Sequence, residues 1–309
     1  MSVIKIEDIA FVRFQAPDLA VMRGFLEEFG LNCFEHQNRL YGRGADGSPF
    51  VHVTEQGDPQ FAGLGFRAAS RADLLALAEH DGVAVQGAET PGGGFVVRLH
   101  DPDGNAVDVV AEQLWTNAED LPINIPVNSA KERRRFRSSV RFPPGPSHVY
   151  RLGHAVLNVS DFAVSEAWYK DRFGLITSDQ IEIDIGKPFG AFLRCDRGTI
   201  PTDHHTIFLL QAPTGQGFNH AAFEVVSFDD LMKGHSYLKS CSREHSWGVG
   251  RHVLGSQIFD YWKDPWGHEL EHWTDGDLFT AADASGIAGI AELLGTLWGP
   301  QHPAASGGA

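Results

Sequence analysis

The sequence predicts an α+β fold in which two similar βαβββ-type modules follow one another and form cupped mixed sheets. Three pairs of segments support this prediction, because they recur in the same order in the two halves of the chain. Each pair contains either a strand-like apolar run joined to a helix start, or a tight turn followed by a strand. Three matches in one order are hard to obtain by chance.

The first pair joins a strand to a helix that ends at a glycine. Residues 9–19 form an apolar run that reaches Asp18 at a helix start, and residues 153–162 do the same at Asp161. Both helical stretches that follow end in Phe-Gly-Leu, and a glycine after the last helical turn is a common C-cap. We therefore expect each module to begin with a strand and a helix.

The second and third pairs complete the modules. Residues 61–74 and 218–231 each read as a strand, a serine cap and a helix with an acidic first turn. An Asp-Pro-x-Gly turn occurs at residues 101–104 and again at residues 264–267. Each turn leads into a strand whose alternate residues face one side of a sheet.

These repeats divide the chain into an N-terminal domain of residues 1–112 and a C-terminal domain of residues 148–275. Residues 113–147 are rich in Pro, Asn and Arg, which predicts a connector or arm. Because the chain is acidic, a solvated or subunit-contacting arm is favoured over an anion site. The last segment, residues 276–309, is predicted to hold one helix near residues 287–297 and a flexible end.

Composition argues against several classes of partner. The formal charge of −15 over 309 residues disfavours nucleic acids and anionic membranes as partners. We find no apolar run of membrane-spanning length and no signal-peptide pattern near the first residue. Three widely spaced cysteines are typical of reduced thiols in the cytoplasm.

A candidate metal site emerges from a difference between the two domains. At three matched positions the C-terminal domain carries His154, His220 and Glu271. Two imidazoles and one carboxylate on neighbouring strands form a facial triad, the ligand set typical of non-heme Fe(II) oxygenases. Each residue alone would be an ordinary core or surface residue, so the prediction rests on finding them together. The matched residues of the N-terminal domain cannot form such a site: they are Phe11, Gly63 and Asp108.

A longer motif surrounds the triad. Gly-Arg-His at residues 250–252 is followed nine residues later by Tyr261, and Asp-Pro-Trp-Gly precedes Glu271. Asp-His-His at residues 203–205 lies fifteen residues before His220. In this combination the chain resembles the type I extradiol ring-cleavage dioxygenases of the vicinal oxygen chelate superfamily, including their layout of two tandem domains.

The resemblance implies an enzyme that holds Fe(II) and opens a catechol-like ring with dioxygen to a ring-opened semialdehyde; Mn(II) could replace iron in the same ligands. It implies that His205 stabilises dioxygen and donates a proton. It places Tyr261 against the deprotonated ring oxygen, and His252 as a group that stabilises that oxygen. It also implies a homo-oligomer.

Four further residues near the motif are not given catalytic roles. Asp260 stands where the family usually has an aliphatic or aromatic residue, and we expect it to affect strand packing rather than chemistry. His204 is expected to pack or to contact backbone. His268 and His272 are expected to support the site or to lie at the surface.

Sequence reasoning constrains the substrate only loosely. Val156 and Phe192 are expected to line the substrate pocket, which favours a ring with an alkyl or aryl group. Arg251 is a candidate for binding a substrate carboxylate, because a guanidinium pairs with it through two hydrogen bonds. Arg194 and Arg197 are further candidates, although a surface or structural role is favoured for all three arginines. Dihydroxybiphenyl-like, alkylated, carboxylated and trihydroxylated rings all remain candidates.

Two alternative functions were weighed. One is another metal-dependent enzyme of the superfamily, such as a glyoxalase-like isomerase or a thiol transferase. Such enzymes often take ligands from both domains, which Phe11 and Gly63 do not allow here. The other is a non-catalytic protein that binds small molecules, and the intact triad argues against it.

Overall fold

A computed structural model describes residues 2–121, 126–212 and 215–305. The first part of the chain forms an eight-stranded sheet with α1 (Leu19–Phe29) and α2 (Arg71–Asp81). Its strands, in chain order, are β1 (Ile6–Ala16), β2 (Asn32–His36), β3 (Arg39–Arg43), β4 (His52–Gln56), β5 (Gln60–Ala68), β6 (Gln86–Gly87), β7 (Phe95–His100) and β8 (Ala106–Ala111).

The second part forms a ten-stranded sheet with α3 (Phe162–Phe173), α4 (Phe228–Ser240) and the single turn α5 (Ile290–Leu293). A separate two-stranded ladder pairs β12 (Thr202–Asp203) with β18 (Leu278–Phe279). The strands of the large sheet are β9 (Val149–Val159), β10 (Ile176–Asp184), β11 (Lys187–Arg194), β13 (Ile207–Gln211), β14 (Gly217–Val225), β15 (His245–His252), β16 (Ile258–Lys263), β17 (Glu269–Thr274), β19 (Gly286–Gly289) and β20 (Thr296–Trp298).

The two sheets share one strand order, which confirms the predicted α+β fold of repeated modules. The first sheet runs β2-β3-β4-β1-β5-β8-β7-β6, and the second contains β10-β11-β13-β9-β14-β17-β16-β15 in the corresponding places. In the second sheet β19 and β20 extend the two edges. The domain boundaries at residues 112 and 148 stay predictions.

Helix ends lie where the repeat predicts them. The carboxylates of Asp18 and Asp161 accept backbone N–H hydrogen bonds from the first turns of α1 and α3. Gly30 and Gly174 follow these helices with φ of 110° and 68°, a left-handed conformation that glycine adopts without steric cost. Serine side chains cap α2 and α4.

One continuous core connects the two sheets. The ring of Phe14 lies 5.1 Å from that of Phe218, and the ring of Phe29 lies 5.6 Å from that of Phe223. These aromatic contacts join side chains from the two halves of the chain. Burying a phenylalanine side chain contributes roughly 1.5–3 kcal/mol. The two sheets therefore support one another.

The prediction of one helix over residues 287–297 is wrong. Gly286–Gly289 form β19, which pairs in parallel with β10, and α5 spans only Ile290–Leu293. β20 then pairs with β15. These residues join the two sheet edges, whose unpaired backbone groups attract further strands. Residues 306–309 of the predicted flexible end lie outside the described residues.

The connector between β8 and β9 has no helix or strand among its described residues. Most of its side chains are exposed, including those of Arg133, Arg134, Arg137 and Arg141. Cys33, Cys195 and Cys241 form no disulfide. Across the described ranges, no helix has both the length and the apolar character needed to cross a membrane.

Candidate active site

Three central strands of the second sheet bring the predicted triad together. His154 lies on β9 and Glu271 on β17, and both residues are in register with Ala222 on the strand between them, β14. His220 is two residues before Ala222 on β14. Because side chains two residues apart along a strand share a face, all three functional groups reach one side of the sheet.

The distances within the triad suit a metal ion. Nε2 of His154 and Nε2 of His220 each lie 3.4 Å from the same carboxylate oxygen of Glu271. Metal–ligand bonds of about 2.1 Å at right angles would separate the ligand atoms by about 3 Å. The side chain of Glu271 is fully buried, and that of His220 is 13% exposed. The arrangement therefore needs little adjustment to hold an ion.

The carboxylate of Glu271 supplies a test of this fit. Neither of its oxygens accepts a hydrogen bond from any described residue, although the group is fully buried. An ionised carboxylate in such a place is costly unless a positive charge compensates it. The residues present therefore fit a divalent metal ion.

Protonation of the triad also suits a ligand set. Burial alone would raise the pKa of Glu271, but His154, His220 and His252 hold that pKa well below its usual range. Burial lowers the pKa of His154. An ionised carboxylate and a neutral imidazole are the forms in which these residues bind metals.

Asn219, which the sequence analysis did not single out, orients the second histidine. Its side-chain oxygen lies 2.8 Å from Nδ1 of His220, and its amide donates to the side chain of Asn158. A proton on Nδ1 leaves the Nε2 lone pair of His220 directed at the triad. Asn219 immediately precedes His220, and this position next to a predicted ligand is the sequence feature that could have identified it.

His205 stands beside the triad. It lies just before β13, with its ring 3.9 Å from the ring of His154, and its side chain is buried. Burial, followed by the proximity of His154 and His204, places the pKa of His205 well below its usual value. In the resting protein this imidazole is therefore neutral.

Behind His205 lies a chain of hydrogen bonds. Nε2 of His204 is 2.7 Å from the carboxylate of Asp179, and Nδ1 of His204 is 3.1 Å from Nδ1 of His205. A neutral imidazole carries only one N–H. If Nε2 of His204 donates to Asp179, Nδ1 of His204 is therefore an acceptor, and Nδ1 of His205 donates to it. His205 then carries its proton on Nδ1 and keeps a lone pair on Nε2. The expectation that His204 only packs or contacts backbone was therefore too narrow.

Tyr261 and His252 form the opposite side of the site. The hydroxyl of Tyr261 lies 3.2 Å from Nε2 of His252, and its ring meets that of His220 edge to face at 5.0 Å. Burial, followed by the charge of Glu271, raises the pKa of Tyr261 well above its usual value. Tyr261 therefore stays protonated and able to donate a hydrogen bond.

These groups open into a cavity of about 590 Å³. Val156 and Phe192 line it, as the sequence analysis expected. Phe192 stacks on Phe208 at 4.0 Å, so this wall is apolar and flat. Further walls come from Ser246 and Trp247 on β15 and from Leu254 just after it. The C-terminal segment, which sequence patterns did not predict as a wall, contributes Leu293, Leu294, His302, Pro303 and Ala304.

Arg251 does not line the cavity, and its predicted substrate-binding role is wrong. The guanidinium donates to the backbone oxygen of Ser256 and, at 2.7 Å, to the carboxylate of Asp275. Its neighbour His252 faces the cavity, so Arg251 points to the other side of the strand.

The remaining arginines and histidines that the sequence analysis weighed have structural partners. Arg194 donates to three acceptors, including the backbone oxygens of Thr177 and Asp283. His268 lies 2.8 Å from the carboxylate of Asp264. The remaining two also have partners: Arg197 contacts Glu7, and His272 contacts the backbone oxygen of Phe29.

The first sheet has no triad at the corresponding place. Phe11, Gly65 and Asp108 occupy the register positions that His154, Ala222 and Glu271 occupy in the second sheet. Asp108 forms an ion pair with Arg13, and a side chain at Gly65 would collide with the ring of Phe11. The side chains of the first sheet leave a cavity of about 90 Å³ beside Phe11 and Asp108, far smaller than that of the second sheet.

The C-terminal part of the chain matches a known family model. The match covers residues 151–272 and is to the Glyoxalase/Bleomycin resistance protein/Dioxygenase superfamily. Over 299 residues the chain is also 30% identical to Metapyrocatechase 2 of Cupriavidus necator, which covers 94% of this chain and 88% of that protein. The chain belongs to the extradiol dioxygenase family.

A second relative of the chain is also an extradiol dioxygenase. The chain is 27% identical over 315 residues to an iron-dependent extradiol dioxygenase of Rhodococcus jostii, with 96% and 97% of the two chains covered. The protein is thus an enzyme of the dioxygenase type.

Solved structures share the fold of this dioxygenase. The 2,3-dioxygenase LapB from Pseudomonas sp. KL28 has a TM-score of 0.75 at 17% identity, covering 93% of this chain and 99% of LapB. The Mn(II)-bound glyoxalase from Novosphingobium aromaticivorans has a TM-score of 0.77 at 23% identity, covering 96% and 92%. At such identities these structures establish the fold alone.

Proposed function

We propose that the protein is an Fe(II)-dependent dioxygenase that cleaves a substituted catechol ring beside one of its hydroxyl groups. The observation that carries the proposal is the buried Glu271 carboxylate, which accepts no hydrogen bond from the described residues and lies 3.4 Å from two imidazoles. His205, His252 and Tyr261 line the same cavity.

Iron is the metal we propose for His154, His220 and Glu271. The Rhodococcus relative is named as iron-dependent, and the ligand set is that of non-heme Fe(II) oxygenases. Mn(II) fits the same nitrogen and oxygen ligands and is the alternative. Held by these three residues, Fe(II) would supply the redox chemistry that lets a catechol react with dioxygen.

The protein's own residues would orient the ring and move its protons. Tyr261, protonated and 3.2 Å from His252, would donate a hydrogen bond to a deprotonated ring oxygen. Nε2 of His205 carries a lone pair in the tautomer derived above. It would accept a proton from the second ring hydroxyl and return it during ring opening, as a general base and then a general acid.

The cavity favours an apolar ring substituent. Its lining includes Phe192, Phe208, Leu254, Leu293 and Leu294, and the first four of these belong to one apolar cluster. No arginine lines the cavity in the described part of the chain, and the lining residue Lys263 is paired with Glu244 at 2.8 Å, so no guanidinium there would bind a substrate carboxylate through two hydrogen bonds. We therefore propose an alkyl- or aryl-substituted catechol over a carboxylated one.

We also propose that the protein is a homo-oligomer in the cytoplasm, and the exposed apolar side chains of the connector support the oligomer. The side chains of Leu114, Val127 and Phe136 are 79%, 73% and 85% exposed. Apolar side chains at such exposure suit a contact with another subunit. Light scattering during gel filtration would test this, and Phe136→Ser should lower the observed mass if the connector forms the interface.

Oxygen uptake tests the proposed reaction. The protein would be loaded with Fe(II) without oxygen and then given oxygen and a panel of alkyl, aryl and carboxylated catechols. We expect one oxygen molecule consumed per ring and a yellow ring-opened product, fastest with the apolar catechols. Iron binding without oxygen uptake on any catechol would contradict the proposal.

A glyoxalase-like isomerase is the second candidate, because the same two imidazoles and one carboxylate also suit Mn(II). Such an enzyme consumes no oxygen. Turnover of a hemithioacetal by the Mn(II)-loaded protein, with no oxygen uptake on catechols, would favour it.

A further inference from the structure

A second cluster of metal-binding side chains lies behind the active site. Asp260 is on β16, next to Tyr261, and alternation along the strand directs its side chain to the opposite face of the sheet. There it meets His235 from α4 and His245 from β15. Asp260 is also the one residue that departs from the family motif.

The three side chains converge on one point. Nδ1 of His235 lies 3.0 and 3.1 Å from the two carboxylate oxygens of Asp260, and Nε2 of His245 lies 2.8 Å from one of them. One ligand atom from each residue falls within 4.8 Å of the others. The two imidazole rings are 5.0 Å apart and perpendicular.

The surroundings of the cluster resemble those of metal sites in proteins. The carboxylate of Asp260 is fully buried, whereas His235 and His245 are 12% and 23% exposed. An ion could therefore enter past the imidazoles and meet the carboxylate inside. Nε1 of Trp262 donates a hydrogen bond of 2.6 Å to Asp260, which fixes the carboxylate's orientation in the way outer-shell partners do in metal sites.

Protonation is compatible with metal binding. Burial would raise the pKa of Asp260, but hydrogen bonds from His235 and His245 hold it below its usual value. Each imidazole has a second nitrogen on which its proton can sit. That tautomer would free the lone pair of Nδ1 in His235 and of Nε2 in His245 without a net change of charge.

We propose that His235, His245 and Asp260 bind a divalent transition-metal ion, Zn(II) by the chemistry of the ligands, at a site separate from the active site. Two imidazoles, one carboxylate and a water complete the four-coordinate geometry that zinc prefers. Ligand atoms would move apart by a few tenths of an ångström, to about 3.4 Å. His235, half-buried on a helix, can make that movement.

Binding there would join α4 to β15 and β16, the two strands that carry His252 and Tyr261. An ion that binds only the folded protein stabilises it by mass action. At zinc concentrations a hundredfold above the dissociation constant, the folding equilibrium constant should rise about a hundredfold. Thermal unfolding should therefore shift to higher temperature with zinc.

The test counts zinc per chain in a background without the active site. In His154→Ala/Glu271→Gln, two of the three active-site ligands are absent, and zinc would be measured by elemental analysis after equilibration and gel filtration. Adding His235→Gln or His245→Gln should lower the zinc content by one ion per chain. Each of these two changes should also abolish the zinc-dependent rise in unfolding temperature. The matched control is His80→Gln, which alters a 46% exposed histidine beside Asp81 and should change neither reading.

Equal zinc content with and without His235→Gln and His245→Gln would overturn the proposal, as would a background variant that is folded and binds no zinc. Circular dichroism would establish that each variant is folded. If the background variant is unfolded, the comparison moves to the Fe(II)-loaded protein, in which the loss of one zinc per chain is again expected. If His235, His245 and Asp260 bind no zinc, oxygen uptake by the iron-loaded protein is still expected. The zinc-site proposal and the dioxygenase proposal are therefore tested independently.

Discussion

At the scale of single residues, Glu271 differs from its counterpart in the first sheet by one interaction. Asp108 occupies the matched register position and is paired with Arg13, whereas Glu271 lies beside imidazoles and the hydroxyl of Tyr261, with no guanidinium among its partners. The carboxylate of Asp108 is therefore neutralised by an arginine, whereas that of Glu271 remains available to bind a metal ion.

We expect Glu271→Gln to lower the affinity for Fe(II) by more than about a hundredfold, because loss of even an outer-shell partner costs tenfold to a hundredfold. Iron content at fixed free Fe(II) is the measurement. Asp108→Asn is the matched control: it should keep its iron while losing stability, since Arg13 is left without its partner. Equal iron retention by both variants would argue against the triad.

His205→Phe should keep iron and still bind catechol, but turn over roughly a hundredfold to ten-thousandfold more slowly, because a positioned acid–base group contributes about that much. Oxygen uptake at saturating substrate, together with iron content, would measure this. Full turnover by the variant would remove the proton-transfer role.

Asp179 is a positioning residue, since it acts through His204 and contacts no cavity atom. Asp179→Asn replaces the charged acceptor 2.7 Å from Nε2 of His204 with a neutral amide that can also donate, so the His204 tautomer is no longer fixed. We expect kcat to fall several-fold while KM for catechol stays unchanged, with partial recovery in Asp179→Glu. A change confined to KM would point to a disturbed pocket instead.

At the scale of elements, strand alternation explains both what the sequence predicted and what it did not. The triad could be found because each ligand repeats a position of the first module, and the registers of β9, β14 and β17 preserve that correspondence. Arg251 was misplaced because sequence patterns favour a loop at residues 246–251, whereas these residues lie on β15, where Arg251 and His252 face opposite sides of the sheet. Asp179 and His204 meet through distant pairing, which no local signal reveals.

The C-terminal segment illustrates the same limit. Residues 286–298 contain glycines that end the short helix, but their pairing with β10 and β15 depends on edges formed far away in the sequence. Their position over the cavity follows from that pairing. Neither could be derived from spacing or composition.

Removing residues 300–309 should weaken the binding of apolar catechols. The deletion takes away the backbone oxygen of Pro300, which accepts from Trp247 at 2.9 Å, and the ring of His302, 4.6 Å from Trp247. We expect KM to rise roughly tenfold, about 1.4 kcal/mol of binding, with iron content unchanged. Steady-state kinetics and metal analysis would measure both; lost iron would show that the segment supports the metal strands as well.

At the scale of the whole molecule, a buried histidine should make the fold sensitive to acid. His52 is fully buried in the first sheet, stacked on Phe14, and burial lowers its pKa from 6.5 to about 3. The unfolded chain therefore takes up a proton below about pH 6.5 that the folded chain refuses. Stability contributed by neutral His52 is complete above that pH and declines as pH falls towards 3.

The loss can approach about 5 kcal/mol, an upper limit from 1.36 kcal/mol per pKa unit. Urea unfolding between pH 7 and pH 4 would measure it in wild type and in His52→Gln. The variant should be less stable at pH 7 but lose less stability on acidification. Parallel losses in the two proteins would assign the acid sensitivity to other groups.

The separation in sequence between the metal ligands and the C-terminal wall has a consequence for protein engineering. Leu293, Leu294 and Pro303 shape the pocket, yet they lie more than twenty residues beyond Glu271 and on the edge of the sheet. Randomising these three positions would change which rings fit without altering the ligands that hold the metal. Directed evolution of this enzyme towards new aromatic pollutants could therefore begin at the end of the chain.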